Sequence, residues 1–122
     1  MSSRALPAPT FFLSAADLAA WFAANPAATE LWVGFWKKGR ERPGISYAEA
    51  VDEALCEGWI DSVIRRVDDA SYMLRFTPRR ARSSWTEVNL QRVEQLRAQR
   101  RMRAGGERAV AAAGHPAERP KR

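Results

Sequence analysis

The run ELWVGFWKK, residues 30–38, constrains the fold more than any other segment. It is rich in aromatic and branched residues and too short for a typical helix, so it predicts a β-strand. One face of that strand would carry Leu31, Val33 and Phe35. The other would carry Trp32 and Trp36. With large apolar residues on both faces, the strand needs either cover on both sides or an exposed aromatic patch.

Helix signals surround this strand. Ser14 resembles an N-cap with Asp17 three residues later, and two capping boxes pair Ser46 with Glu49 and Ser84 with Glu87. The predicted helices cover residues 15–24, 46–57 and 85–99, and an alanine-rich piece covers 107–113. The third helix is expected to anchor through Val88, Val93 and Leu96.

A β-hairpin is predicted in the middle of the chain. Two β-prone runs, SVIRRV and SYMLRFT, flank Asp68-Asp69-Ala70, a turn that lacks glycine. Tyr72, Leu74 and Phe76 would share one strand face. These elements predict an α+β fold: a small antiparallel sheet of about three strands flanked by three to four helices.

The 122 residues are enough for one hydrophobic core. We expect a flexible lead-in at 1–10, a single domain at 11–113 and a disordered basic tail at 114–122. Residues 97–122 hold eight basic and two acidic residues, which equals the whole formal net charge of +6. The rest of the chain is therefore close to neutral.

Targeting signals are not evident in the sequence. No apolar stretch approaches the length of a membrane helix, and the first 25 residues lack the pattern of a signal peptide. The single cysteine, Cys56, agrees with a reducing compartment. We therefore expect a cytoplasmic protein that does not insert into membranes.

Several sequence blocks resemble a known family. The blocks ELWVGFWKK, SYAEAVDEALCEGWIDS, RRVDDASY, RFTPRR, SSWTEVN and RMRAGG are similar, in that order, to the bacteriocin-protection, YdeI/OmpD-associated family of small bacterial proteins. The resemblance covers residues 11–113. It implies a setting in the bacterial stress response and brings no settled activity or catalytic residues. Ser62 stands where that family usually has glycine, and a tight turn with positive φ would be strained there.

The loop FTPRRARSSW, residues 76–85, is the strongest functional candidate. Arg79, Arg80 and Arg82 precede helix-start amides near Ser84, a combination suited to a phosphate or carboxylate. The alternative is that these arginines pair with the acidic face of the helix at 46–57. That face carries Glu49, Asp52, Glu53 and Glu57.

Two further positions extend the candidate site. Trp59-Ile60-Asp61 is expected at a helix end before a strand, where Asp61 would orient Arg65 or Arg66. Asn89 would point inward, to fix a loop or to contact a ligand. The complete predicted ligand-binding set is Trp59, Asp61, Arg65, Arg66, Arg79, Arg80, Arg82, Ser84, Trp85 and Asn89.

Catalytic and metal motifs are weak. Cys56 and His115 are the only residues of their types, too few for a zinc cluster, and no nucleotide-binding motif is present. We therefore expect no cofactor and no metal. The sequence predicts a non-enzymatic protein that binds an anionic small molecule or an acidic protein segment.

Two alternatives stay open. One is a non-specific nucleic-acid binder that stacks bases on Trp32, Trp36 and Trp85. The other is a small enzyme that uses Asp61 with Arg79 or Arg80.

Overall fold

The computed structural model describes residues 7–39, 42–80 and 85–114, which form four helices and three strands. In chain order the elements are α1 (Ala15–Ala24), β1 (Leu31–Trp36), α2 (Tyr47–Glu57), β2 (Trp59–Arg66), β3 (Ser71–Pro78), α3 (Glu87–Ala98) and α4 (Ala104–Ala112). The expected α+β class, with a small antiparallel sheet and four helices in the described ranges, is confirmed.

The sheet has the order β1-β3-β2, and both pairings are antiparallel. Leu74 in the central strand pairs with Val33 on one side and with Ile64 on the other. The β2–β3 turn manages without glycine because the Asp68 carboxylate accepts hydrogen bonds from the Ala70 amide, at 2.8 Å, and from the Ser71 hydroxyl, at 2.9 Å. These bonds, the amide bond first, lower the pKa of Asp68.

The outer side of β1 is covered by the segment before α1. Thr10 bridges β1 in parallel: its amide donates to the Trp32 carbonyl at 2.9 Å, and its carbonyl accepts from the Gly34 amide at 2.8 Å. Phe11 stacks on Trp36 with ring centroids 4.4 Å apart. A Cβ on Gly34 would lie 2.6 Å from the Phe11 ring, so glycine makes this contact possible. Thr10, the last residue of the predicted lead-in, thus belongs to the sheet edge.

Two hydrophobic clusters share α2. The larger one fills the space between the sheet, α1 and α2, and its most buried members include Leu18, Val33 and Phe76. The smaller one joins α2 to α3 and α4 and contains Leu55, Cys56, Val93, Leu96 and Val110. Burial of Val93 and Leu96 confirms two of the predicted anchors of α3.

The start of α3 differs from the prediction. Thr86 is the N-cap, since its hydroxyl accepts from the Asn89 amide at 3.0 Å, so the helix begins two residues after the predicted Trp85. Ser84, the predicted cap, lies outside the described residues. Val88 falls in the first turn and is 73% exposed, so its prediction as an anchor is wrong; Leu90 is buried in its stead.

The start of β2 also differs. Gly58 ends α2 in the left-handed conformation, with φ of 80°, and the strand begins at Trp59, directly after it. The β2–β3 register shifts between Asp61 and Ile64, so Ser62 lies at a strand irregularity rather than in a tight turn. Among the described non-glycine residues, only Arg100 has a positive φ. Ser62 therefore carries no strain of the expected kind.

The first turn of α4 sits on the carboxyl end of α2. A Cβ on Gly105 would lie 2.8 Å from the Glu57 carbonyl oxygen, and one on Gly106 would collide with the Cys56 carbonyl oxygen. The Arg103 amide donates to that same Cys56 oxygen at 3.1 Å. Two adjacent glycines thus bring the two helices together and fix where Arg103 lies.

Candidate functional site

Arg79 lies where β3 ends and is held by both its backbone and its side chain. Its amide donates to the Gly58 carbonyl at 2.9 Å, and its guanidinium carbon lies 3.9 Å from the ring centroid of Trp85. Trp85 in turn packs against the smaller hydrophobic cluster. Burial lowers the pKa of Arg79, and the negative charge of Asp61 opposes that shift. The contact with Trp85 is a cation–π interaction.

A small cavity of about 70 Å³ brings four predicted site residues together. Trp59, Asp61, Arg79 and Asn89 all line it, next to apolar residues of α2. A volume of that size holds about two water molecules. The cavity is therefore a place for ordered water or for an ion, and it is too small for an organic ligand.

A larger, open groove of about 580 Å³ also has Arg79 in its wall. The groove lies at the ends of α1, α2 and β3 and along α4. Its charged lining residues are Glu57, Arg79, Arg103 and Arg108. Three arginines thus face one carboxylate, and that carboxylate already accepts from the Arg103 guanidinium. The volume lies in the range of ordinary small-molecule sites.

The acidic face of α2 takes its cationic partners from α3 and from the connection between α3 and α4. Arg92 holds Asp52 in a bidentate pair, with bonds of 2.8 and 2.5 Å. Glu53 accepts from Arg101 at 2.9 Å and from Arg103 at 2.8 Å. The acidic face therefore does pair with arginines, but these arginines are not the ones of the loop at 76–85 that the sequence singled out.

Arg65 and Arg66 lie apart from the Arg79 region. They pair with Met73 and Tyr72 of β3, near the hairpin turn, whereas Trp59 pairs with Pro78 at the opposite end. The Arg66 guanidinium donates to Asp69, and the Arg65 guanidinium donates to the Ile64 carbonyl at 3.1 Å.

Asp61 bonds differently from the prediction. Its carboxylate accepts from the Tyr47 hydroxyl at 3.4 Å. In the described structure neither Arg65 nor Arg66 is within ion-pair distance of it. The expectation that Asp61 orients one of these arginines is wrong, because both lie closer to the hairpin turn.

Four predicted site residues remain, which are Arg80, Arg82, Ser84 and Asn89. Arg80 is exposed directly after β3, and Arg82 and Ser84 lie outside the described residues. Asn89 uses its backbone amide in the cap of α3, and its side chain belongs to the wall of the small cavity. Arg103 and Arg108 line the open groove but were not singled out from the sequence, where their charges were attributed to the basic end of the chain.

Two of the three tryptophans proposed for base stacking already have partners. Trp36 stacks on Phe11 and has the Arg42 guanidinium 4.7 Å from its ring centroid. Trp85 lies under Arg79, and Trp32 is only partly exposed. A base would have to displace these contacts in order to stack.

Nucleophilic and metal chemistry gains no support from the described residues. Cys56 is fully buried, and that burial raises its pKa to about 11, so the thiol stays protonated near neutral pH. Among residues 7–39, 42–80 and 85–114, no cluster of three or more metal-ligating side chains is found. His115 lies outside these ranges.

The fold and the groove define a small α+β protein with a basic, open surface pocket. A family model described as a domain of unknown function, DUF8412, matches residues 10–109, and the chain belongs to this family. The match runs from the Thr10 bridge into α4, so it includes all of the residues that line the groove except Ala112.

Other comparisons add no function. No curated protein and no solved structure matches the chain. The resemblance to the YdeI/OmpD-associated family stays a prediction. Within the described ranges, none of the helices has the length and apolar character needed to span a bilayer.

Proposed function

We propose that this protein is a non-enzymatic, cytoplasmic binding protein that captures an anionic group, phosphate or carboxylate, in the open groove lined by Arg79, Arg103 and Arg108. The observation that carries the proposal is the charge of the groove wall, where three arginines face one glutamate that is already bonded to Arg103. The anionic group belongs either to a small molecule or to an acidic protein segment.

The three arginines would contribute differently. Arg103 is fixed by its bonds to Glu53 and Glu57, so it offers a preorganised part of the wall. Arg108 is exposed on α4 and is able to close over a ligand. Guanidinium groups suit such a site because each presents several donors in a planar fork that matches carboxylate and phosphate.

The apolar part of the wall indicates a ligand that is more than a bare ion. Phe22, Pro26 and Ala109 lie in the same lining. A molecule with an anionic head and a small apolar body would use both kinds of surface. The resemblance to the bacteriocin-protection family places such capture in the bacterial stress response, as part of the same proposal.

The other two functions have less support. Nucleic-acid binding would need free aromatic faces, and Trp36 and Trp85 are already stacked. Enzyme chemistry between Asp61 and Arg79 would have to occur in a cavity of about 70 Å³, which leaves no room for an organic substrate.

Calorimetric titration with pyrophosphate and with citrate at low salt tests the proposal. We expect Arg108→Gln to weaken binding at least about tenfold, because a hydrogen bond to a charged group contributes about 1.5–3 kcal/mol. Arg65→Gln is the matched control, since it removes an exposed arginine near the other end of β2, and its affinity should equal that of the wild type.

Two results would contradict anion capture in this groove. One is a wild-type protein that binds neither anion at low salt. The other is an equal loss of affinity in Arg108→Gln and Arg65→Gln, which would mean that the anions respond to overall charge and not to the groove.

A further inference from the structure

A second groove, of about 460 Å³, opens between the start of α2 and the hairpin. Its lining consists of Tyr47, Asp61, Ser62, Ile64, Tyr72 and Leu74. Tyr47 is 48% exposed and Ile64 is 60% exposed, both high values for large apolar side chains. Neither the proposed anion site nor any ion pair described above uses this surface.

The two aromatic side chains of the groove, Tyr47 and Tyr72, both pack on the ring of Phe35. Tyr72 stacks on Phe35 with ring centroids 5.4 Å apart, and Tyr47 contacts the same ring edge-on at 6.3 Å. Phe35 is buried in the larger hydrophobic cluster. A ligand would therefore meet two rings whose positions the core already fixes, which lowers the entropy cost of binding.

The charge of the groove is negative. Of the described residues in its lining, only Asp61 carries a charge at neutral pH. Its contact with the Tyr47 hydroxyl is long, at 3.4 Å, which leaves most of the hydrogen-bonding capacity of the carboxylate to other donors.

The two nearby arginines, Arg66 and Arg79, do not neutralise the negative charge of the groove. Arg66 pairs with Tyr72 across the hairpin, but its guanidinium donates to Asp69 in the turn. Arg79 attracts Asp61 from the small cavity, while its guanidinium lies on the Trp85 ring and it does not line this groove.

From this geometry we propose that the groove binds an organic cation, with its ammonium group at Asp61 and its apolar body between Tyr47 and Tyr72. A carboxylate supplies the charge-assisted hydrogen bond, and electron-rich rings attract the cation and cover the hydrocarbon. A free amine and a lysine side chain of another protein share this chemistry. The site takes a ligand of the opposite charge to the proposed anion groove and does not depend on it.

Calorimetric titration with phenethylamine, and with phenethyl alcohol as the neutral analogue of the same shape, tests the site. We expect the amine to bind at least tenfold more tightly than the alcohol, and Asp61→Asn to abolish that difference. Asp69→Asn is the matched control, since it removes a carboxylate of the hairpin turn outside the groove, and it should leave the preference intact. Arg108→Gln should also leave it intact, which separates this site from the anion groove.

A lysine-containing tripeptide distinguishes the two sources of the cation. Tighter binding of the tripeptide than of phenethylamine would support a protein ligand, and the reverse would support a free amine. If Asp61→Asn no longer binds the preferred ligand, whether tripeptide or amine, the result supports binding at Asp61.

Asp61→Ser keeps the test decisive should Asp61→Asn fail to fold. This variant removes the same negative charge with a smaller side chain, so it should abolish the preference for the amine as well. Equal affinity for amine and alcohol in the wild type, or an unchanged preference in either folded Asp61 variant, would overturn the proposal.

Discussion

The two sides of α2 use charge in different ways. Towards α3 and α4, carboxylates of α2 meet arginines, and Glu53 alone accepts from two of them. Towards the start of β2 and the end of β3, Arg79 lies on an aromatic ring, and Asp61 lines both a small cavity and an open groove. The first arrangement is closed, because its carboxylates and arginines bond to each other, although Glu57 and Arg103 also line the anion groove. The second is open, because it leaves Asp61 beside space that a ligand can enter.

Burial explains the difference. The Glu53 side chain is only 6% exposed, and a buried carboxylate is tolerated only when it is paired and hydrogen-bonded. Arg80 and Arg108 are exposed, so each guanidinium group keeps its contact with water. An arginine-rich stretch therefore says little until the burial of each member is known.

Disrupting the contact between α2 and α4, on the closed side, should give the largest loss of stability. Gly106→Ala places a methyl group against the Cys56 carbonyl, so α4 has to move away from α2. We expect a loss of about 3 kcal/mol in the free energy of unfolding, measured by urea denaturation.

Helix propensity provides the control for Gly106→Ala. Alanine is the better helix former by about 1 kcal/mol, so propensity alone would stabilise the variant. Ala111→Gly, at an exposed position of α4, should cost about that 1 kcal/mol without affecting the crossing. Gly106→Ala at wild-type stability or above would mean that the helices do not approach each other this closely.

Removing a charge from the closed side should have an intermediate effect. Glu53→Gln weakens two charge-assisted bonds while keeping the shape of the side chain, and we expect a loss of about 2 kcal/mol. Glu30→Gln makes the same change in the exposed pair with Arg75 and should cost less than about 1 kcal/mol. Similar losses of stability in both variants, measured by thermal and urea unfolding, would mean that the burial of Glu53 does not strengthen its ion pairs.

The smallest effect is expected on the open side. Arg79→Lys retains the charge but loses the planar contact with Trp85, which should cost about 1 kcal/mol and change the tryptophan fluorescence. Arg65→Lys is the control, because Arg65 is exposed on β2 and its guanidinium donates to the Ile64 carbonyl. If both variants behave alike, the stacking seen at Trp85 contributes nothing specific to Arg79.

Local signals predicted the elements well where one cap or one pattern had no competitor. Ser46 and Glu49 form both bonds of the capping box, and Ser14 accepts from the Asp17 amide as its spacing indicated. The start of α3 was misplaced because Ser84 and Thr86 are both acceptable caps. Only the packing of Leu90, Val93 and Leu96 decides between the two registers.

The candidate site was only partly predictable, for a reason that lies in the hairpin. Neighbours in an antiparallel pair lie opposite each other, so Trp59 at the start of β2 meets Pro78 at the end of β3. Arg66 meets Tyr72 near the turn, at the other end of the hairpin from Arg79. The hairpin register alone predicts that Arg66 and Arg79 lie far apart. Whether Arg108 lines the groove depends on how α4 packs against the rest of the fold, which the local sequence pattern does not specify.

The strand order has a consequence for how the chain acquires its structure during synthesis. The middle strand, β3, is made last, and β1 and β2 pair with it and not with each other. A nascent chain that ends before Ser71 can thus form α1 and α2 but has no template on which to assemble a sheet. The local β2–β3 hairpin would form first, and β1, which ends 35 residues before β3 begins, would join it at the greater loop-closure cost of a distant segment.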